Sequence, residues 1–492
     1  MLQSTIARVI LDIWHNLPQV GAAPAALRLL LPGGGQIPLP APAGQAQEEM
    51  QQLSRHPALQ GLCTGVSTDS RQTAPGQAFF ALAGQNFDGH QFAGQAGEKG
   101  AALLVLSRAT PALPERAVAL LVPDVLTALQ ALARACRERW NRPVIAITGS
   151  TGKTSTKDLL AAALAGRYNV LKTAGNYNNE LGVPLTLLEL APQHDLAVLE
   201  MAMRGRGEIA ALCRIARPNA GIITNAGQAH IERLGSQQAV ARAKAELLEY
   251  IPEDGFALVH GDSPYLPDLT GQCPGRVYFF GQSERCHYRL LTWQVGEEGS
   301  RFALTTPQGE QEYFVPLPGL HQVINCLAAV AVAGQLGLSP AEIQAGLLRA
   351  NLSAMRQEIV EKAGIKFIND AYNANPASMR AALEALPLYG QGRRRVAVLG
   401  DMLELGQYSA PAHREMGRLA AGCGLDLLVA VGEAAADLAR AAVQAGMPAT
   451  RVVHFTSFDT AAPQLPVLLR PGDCVLLKGS RGMRLERVLE LF

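Results

Sequence analysis

Apolar positions along this chain fall into runs of two kinds. Ile6, Val9, Ile10, Ile13 and Trp14 recur at helical spacing, which predicts an amphipathic helix from Ser4 to Leu31. Pro32 to Ala46, rich in Gly, Pro and Ala, reads as a linker or loose loop. Between Gly65 and Val122, short apolar runs such as Ala78 to Leu82 and Ala102 to Leu106 alternate with turn residues, the mark of a small α/β unit. Val144 to Thr148 is a continuous apolar run that enters a glycine-rich turn and then a helical stretch from Lys153 to Leu164. Leu196 to Glu200, Gly221 to Thr224 and Phe256 to Val259 read as further buried strands separated by helical patterns, which predicts a parallel sheet covered on both faces. Arg276 to Phe314 looks alternating and antiparallel, with a hairpin signal at Gly296 to Gly299, and Gly319 to Leu338 reads as a helix. Strands at Lys366 to Asn369, Val396 to Leu399, Leu427 to Val431 and Val475 to Lys478, with helices between, predict a doubly wound final domain.

The 492 residues exceed what one core organises, and a prior of roughly 150 residues per domain gives about three units. A hydrophobic share of 48% against 17% charged residues excludes a disordered chain. The 43 basic and 42 acidic residues are spread along the chain, so no global field draws nucleic acid or an anionic membrane, and any phosphate recognition is local. The eight cysteines lie far apart, without C-x-x-C or zinc spacing, and read as reduced core thiols of a cytosolic protein. Met1 to Trp14 lacks the pattern of a secretory leader, and no apolar run reaches the roughly 18 residues of a membrane span. A cytoplasmic protein without membrane insertion is expected.

The segment Thr148, Gly149, Ser150, Thr151, Gly152, Lys153, Thr154 and Ser155 sits where the predicted strand gives way to the helix. Glycines there permit backbone geometries closed to other residues, and a helix start favours anions. Lys153 would reach terminal phosphates and Thr154 would offer a hydroxyl to Mg²⁺. The segment departs from the strict P-loop, which would carry glycine at Ile147.

The compressed TGSTGKT loop resembles that of the Mur ligases and their folylpolyglutamate synthetase relatives. TAGNYNNELGVP from Thr173, EMAMRGRGE from Glu200, TNAGQAHIERLG from Thr224, DAYNANP from Asp370, GDMLELG from Gly400 and KGSR from Lys478 follow in the family's order. They are similar to the MurF branch, the D-alanyl-D-alanine-adding ligases. Ser67 to Phe92 resembles that branch's uridine-nucleotide-binding domain, and the D-N-P-R motif of the diaminopimelate- or lysine-adding sister ligase is absent. The resemblance implies an α/β fold of three domains: a small N-terminal α/β uridine-nucleotide-binding domain (61–138), a central P-loop-type parallel-sheet ATPase domain (139–350) and a C-terminal Rossmann-like α/β domain (351–492). Residues 1–60 stay unassigned, as an extension or a diverged start.

What the resemblance implies chemically is ATP-dependent phosphorylation of the carboxylate of a UDP-N-acetylmuramoyl-tripeptide, followed by attack of the D-Ala-D-Ala amine on the acyl phosphate. ATP and Mg²⁺ are the implied cofactors, in a protein expected to act as a monomer. Thr154, Glu200, His230 and, once carbamylated by CO₂, Lys244 match the family's metal-facing residues. Arg356 matches the arginine that approaches the γ-phosphate when domains close. Asn325, Asp370, Tyr372 and Asn373 fall where relatives hold adenine and ribose. Asn178 and Asn179, together with Ser70 and Arg71 in the uridine segment, fall on the UDP-substrate side; Ser480 and Arg481 fall where the dipeptide carboxylate would be held. One departure stands out: relatives read G-x-H-N where Gly319 to Gln322 places a glutamine, which puts one adenine contact in question. A sister ligase step is the nearest rival, separated by substrate competition. A P-loop kinase or GTPase leaves the Asn-rich and GDMLELG segments unexplained, and a non-catalytic nucleotide-binding protein would be expected to erode Lys153, Glu200, His230 or Lys244.

Overall fold

A computed structural model describes residues 4–492 except 22–26, 33–34, 41–45, 85–86, 111–112, 115–116 and 297. The chain divides into two compact units, one of Met1–Val144, Leu171–Met201 and Glu208–Pro218, the other of Ile145–Val170, Ala202–Gly207 and Asn219–Phe492.

In the first unit, strands order as Gln36–Leu39, Leu27–Leu30, Ala119–Leu121, Leu103–Leu106, Gln77–Phe80 and Gly65–Ser67. The last four run parallel, and Leu27–Leu30 pairs antiparallel on both sides. Phe79, Ala81, Leu104 and Leu106 pack on one face with Ala93 and Ala96. The N-terminal helix, expected over Ser4 to Leu31, is shorter: it spans Ile6–Asn16, because Pro18 has no N–H to continue it and disfavours helical geometry just before itself. Thr5 caps its start by accepting from the Arg8 amide, and Ile6, Val9, Ile10, Ile13 and Trp14 are buried. Leu27–Leu30, expected to be helical, is a strand, and part of the expected linker is its hairpin partner Gln36–Leu39; residues 33–34 and 41–45 of that stretch lie outside the described residues. Residues 27–30 and 36–39, given no assignment from sequence, thus complete the edge of the sheet that holds Gly65–Ser67. Helix Val125–Trp140 starts on the Asp124 side chain, which accepts from Thr127 N, and ends on Asn141 in left-handed geometry. Its buried Arg137 caps another helix, Glu208–Ala216, by donating to the Ala216 carbonyl at 2.9 Å.

In the second unit, strands Val144–Thr148, Ala220–Ile223, Phe256–His260 and Arg276–Gly281 are parallel neighbours, joined in register from Ala220↔Ile145 and Phe256↔Arg276. Tyr288–Gly296, Gly299–Thr306 and Gly309–Val315 extend this sheet as an antiparallel meander; the antiparallel character expected from Arg276 begins only at Tyr288, since Arg276–Gly281 pairs parallel on both sides. A separate sheet orders Glu358–Lys362, Ile365–Asn369, Asp473–Lys478, Arg394–Gly400, Leu427–Val431 and Val452–Phe455, parallel except at the first pair. Alternate residues of its strands feed two cores: Ala397 and Leu399 face a cluster with Met379 and Met416, Val396 and Val398 one with Leu465 and Val488. This is the two-faced α/β arrangement expected of the last third. No described helix is long and apolar enough to cross a membrane.

Candidate functional site

The phosphate loop lies between the buried strand Val144–Thr148 and helix Lys153–Leu164. Two glycines are obligatory. Gly149 has φ +155°, and a Cβ there would lie 1.8 Å from Thr224 Oγ1; Gly152 has φ +79°, and its Cβ would lie 2.5 Å from Asn325 Oδ1. Asn225, not singled out from sequence, shapes the loop, since its Oδ1 accepts from Ser150 N at 3.0 Å and Thr151 N at 2.9 Å. Thr224 Oγ1 donates to the Thr151 carbonyl at 2.6 Å. Lys153 folds back so that Nζ donates to the Gly149 carbonyl at 2.7 Å. Thr148 is wholly buried, and its Oγ1 has no hydrogen-bond partner among the described residues.

Lys244, His230 and Lys153 form one electrostatic group. Lys244 lies on helix Gln237–Ala245 and is 1% exposed. Burial, then the nearby Lys153 cation, holds its amine well below the ordinary lysine range. His230 has left-handed backbone, φ 60°, and its Nδ1 lies 2.8 Å from Glu404 Oε2. Burial pushes its pKa down; Glu404 opposes this, and the Lys244 and Lys153 cations add to it. Among the described residues no three His, Cys, Asp or Glu side chains gather at metal-binding spacing, so a cation here needs donors of other kinds.

Arg356 closes the other side. Its guanidinium lies 4.0 Å from the Tyr372 ring centroid, and Nη2 donates to Thr154 Oγ1 at 3.2 Å. Asn325 Oδ1 accepts from Thr156 Oγ1 at 3.4 Å. Asp370 is taken up by an ion pair: the buried Lys478 Nζ lies 2.5 Å from Asp370 Oδ2 and also donates to the Asn373 carbonyl at 3.2 Å. Ser480 is a junction, accepting from Leu403 N at 2.8 Å and donating to the Ala374 carbonyl at 3.3 Å. Arg481 is half-exposed, pairs with Glu486 at 2.7 Å and reaches Met355 Sδ at 3.6 Å. The second unit therefore gathers Lys153, Thr154, His230, Lys244, Asn325, Arg356 and Tyr372, with Asp370, Asn373, Ser480 and Arg481 along its C-terminal sheet.

The remaining predicted residues belong to the first unit. Glu200 ends the strand Leu196–Glu200, is 2% exposed, and accepts from Asn178 Nδ2 at 2.7 Å. Asn179 instead caps helix Gly182–Leu188, accepting from Gly182 N at 2.9 Å. Ser70 donates to Gln95 Oε1 at 2.7 Å, while Arg71, exposed, grips Asp69 through two nitrogens and holds that carboxyl down to about 2. Lys99, missed by the sequence reading, donates to the Ser70 and Arg71 carbonyls at 2.9 Å.

Three family models match in chain order: "Mur ligase family, catalytic domain" over residues 63–137, "Mur ligase middle domain" over 147–333 and "Mur ligase, glutamate ligase domain" over 355–481. The Bacillus subtilis (strain 168) UDP-N-acetylmuramoyl-tripeptide--D-alanyl-D-alanine ligase is 39% identical over 430 residues, 87% of this chain and 92% of that protein. Among solved structures, MurF from Acinetobacter baumannii superposes with TM-score 0.80 at 35% identity, over 89% of this chain and 97% of that one. MurF ligase from Thermotoga maritima in complex with ADP gives TM-score 0.76 at 29% identity, over 87% of this chain and 97% of that one.

Proposed function

This chain belongs to the Mur ligase family, and we propose that it performs the step of the MurF branch: ATP-dependent joining of D-alanyl-D-alanine to a UDP-N-acetylmuramoyl-tripeptide, the amide bond that gives the pentapeptide peptidoglycan precursor. The observation that carries this reading is the cluster of Lys153, Lys244, His230 and Arg356 about a glycine-shaped phosphate loop, in a chain that matches MurF relatives over most of its length.

A carboxylate is a poor electrophile, so the tripeptide's terminal carboxylate first takes the γ-phosphoryl of ATP. Charge spreads over the phosphoryl oxygens as it transfers, and Lys153 and Arg356 are the permanent cations set to receive it. Loop amides held by Asn225 and Thr224 keep the loop's shape ahead of binding, so little reorganisation is needed on the way to the transition state. The dipeptide amine then attacks the acyl carbon, the amide forms and phosphate leaves. Asn325, Tyr372, Asn373 and Asp370 are assigned to the nucleoside, Asn178, Asn179, Ser70 and Arg71 to the UDP-substrate, and Ser480 and Arg481 to the dipeptide carboxylate.

The donor set suits Mg²⁺. A hydroxyl and a histidine held towards its neutral form are available in the second unit, and Lys244, buried and depressed in pKa, is the amine that CO₂ would convert to an anionic carbamate. Thr154, His230 and carbamylated Lys244 would hold the ion, with Glu200 assigned to it by resemblance; bound Mg²⁺ would neutralise phosphate charge. The eight free cysteines and the lack of a spanning helix among the described residues support a cytoplasmic site of action, and a monomer suffices for this chemistry.

The deciding experiment measures phosphate release from ATP and Mg²⁺ with UDP-N-acetylmuramoyl-tripeptide, with D-Ala-D-Ala or with D-Ala, D-Glu or diaminopimelate. Release that requires the dipeptide supports the proposal; release with one amino acid and a shorter UDP-substrate moves the chain to a sister step.

A further inference from the structure

Gln322, the residue that departs from the family's asparagine, does not stand alone. It is the third residue of helix Leu320–Gln335 and is 3% exposed. Its Nε2 donates to Gln357 Oε1 at 2.8 Å, and its Oε1 accepts from Asn325 Nδ2, one turn along the helix, at 3.3 Å. His321 Nε2 lies 3.0 Å from the same Gln357 oxygen, so two neighbouring side chains grip one carbonyl. Through Asn325 the chain of contacts continues to Thr156 Oγ1 on the phosphate-loop helix, and Asn325 Oδ1 occupies the space a Cβ at Gly152 would need.

Gln357 lies in a segment tied to the phosphate-loop helix at several points. Ser353 donates from N and Oγ to Asp158 Oδ2 at 2.9 and 2.7 Å, and Arg356 reaches Thr154. Met355 and Gln357, on either side of Arg356, both have left-handed backbone, φ 59° and 57°. Non-glycine residues hold that conformation only where their surroundings impose it. The double grip on Gln357 is such an imposition, and it fixes the residue next to Arg356. An asparagine at 322 would be shorter by one methylene, about 1.5 Å, and would leave the 2.8 Å contact out of reach.

We propose that Gln322 and Gln357 are positioning residues for Arg356, together holding the strained 353–357 segment so that the guanidinium is presented at the phosphate loop. Gln322 thus serves the segment that carries Arg356, and its extra methylene is what lets it do so. This rests on the reading of Arg356 as the group that meets the γ-phosphate.

The test uses the full chain with Gln322→Asn, Gln357→Ala and the double variant. Steady-state phosphate release with D-Ala-D-Ala is followed beside ADP affinity by calorimetry and amide hydrogen exchange across residues 353–358. Each single change is expected to lower kcat about tenfold while KM for ATP and the Kd for ADP stay within about twofold. The double variant should be no slower than the slower single, because both act through one contact. Exchange in 353–358 should quicken in all three. Gln357 is only partly buried, so Gln357→Ala keeps the experiment readable if Gln322→Asn folds poorly. About tenfold weaker ADP binding with unchanged kcat in Gln322→Asn would make Gln322 a nucleotide ligand and overturn the proposal, as would unaltered exchange or multiplying effects. Failure of the underlying reading looks different: a wild-type chain without dipeptide-dependent release refutes the proposed function, and unchanged turnover in Arg356→Ala refutes the premise on Arg356.

Discussion

Lys244 shows how much a single residue's meaning depends on where it is held. In sequence it is a helix lysine among alanines; in the fold it is 1% exposed and faces another cation. Burial and the nearby Lys153 cation shift such an amine towards its neutral, nucleophilic form, the form that CO₂ captures. Lys244→Ala is expected to lower turnover by about a hundredfold or more, the scale of losing a preorganised charge, and formate or acetate should restore part of it. Phosphate-release assays with and without the acid check this, and absence of rescue would remove the carbamate from the account. Lys153→Ala should abolish acyl-phosphate formation, a loss of about 10³ or more, trapped with hydroxylamine in place of the dipeptide. Unchanged turnover there would sink the phosphate-loop assignment. Lys153 was legible because its chemistry sits inside a patterned loop. Asn225 was not: its carboxamide matters only through two amides some seventy-five residues earlier, a pairing that no local pattern encodes.

At the level of elements, legibility followed length and contrast. The Val144–Thr148 strand and the Lys153–Leu164 helix could be read because an apolar run of one period meets glycines and then a run of another period. The hairpin Leu27–Leu30 with Gln36–Leu39 could not: each strand is four residues, Pro38 sits inside one of them, and the helix before it has similar apolar density. Its alternation, Leu27 and Leu29 buried with Arg28 exposed, becomes visible only once the helix end at Asn16 is known. Leu29 is wholly buried where Leu27–Leu30 joins both neighbouring strands, so Leu29→Ala should cost about 2–4 kcal/mol in chemical denaturation, while Arg28→Ala should change little. Equal effects from the two would mean that this edge carries no core.

For the molecule as a whole, residues on both sides of the boundary expected near residue 350 fall within one compact unit, which includes 219–492. Ile231 shows why: it follows His230 in the central region but is buried in the C-terminal core with Met402 and Leu405, beside the His230 to Glu404 contact. A lone isoleucine in a loop carries no periodic signal, so this docking could not be read in advance. Charges buried in this unit also set its response to acid. His260, against Phe280 and near Asp262, and His321, on Gln357, both have pKa values lowered chiefly by burial. A histidine whose folded pKa lies below its unfolded value near 6.5 leaves the unfolded chain holding more protons, so its share of stability is complete above about pH 6.5 and is lost as pH falls below it. Asp69 and Asp88, held to about 2 by Arg71 and by His90 respectively, lose their share only in stronger acid, below the unfolded carboxylate value of about 4. The melting temperature should therefore decline between pH 7 and pH 5, above the range in which Asp69 and Asp88 act. His260→Gln, which keeps a polar group beside Asp262 without a titrating ring, should flatten part of that decline. A melting temperature that is level over this interval, or a His260→Gln profile parallel to the wild type, would show that these imidazoles remain solvated enough to titrate as they do in the unfolded chain.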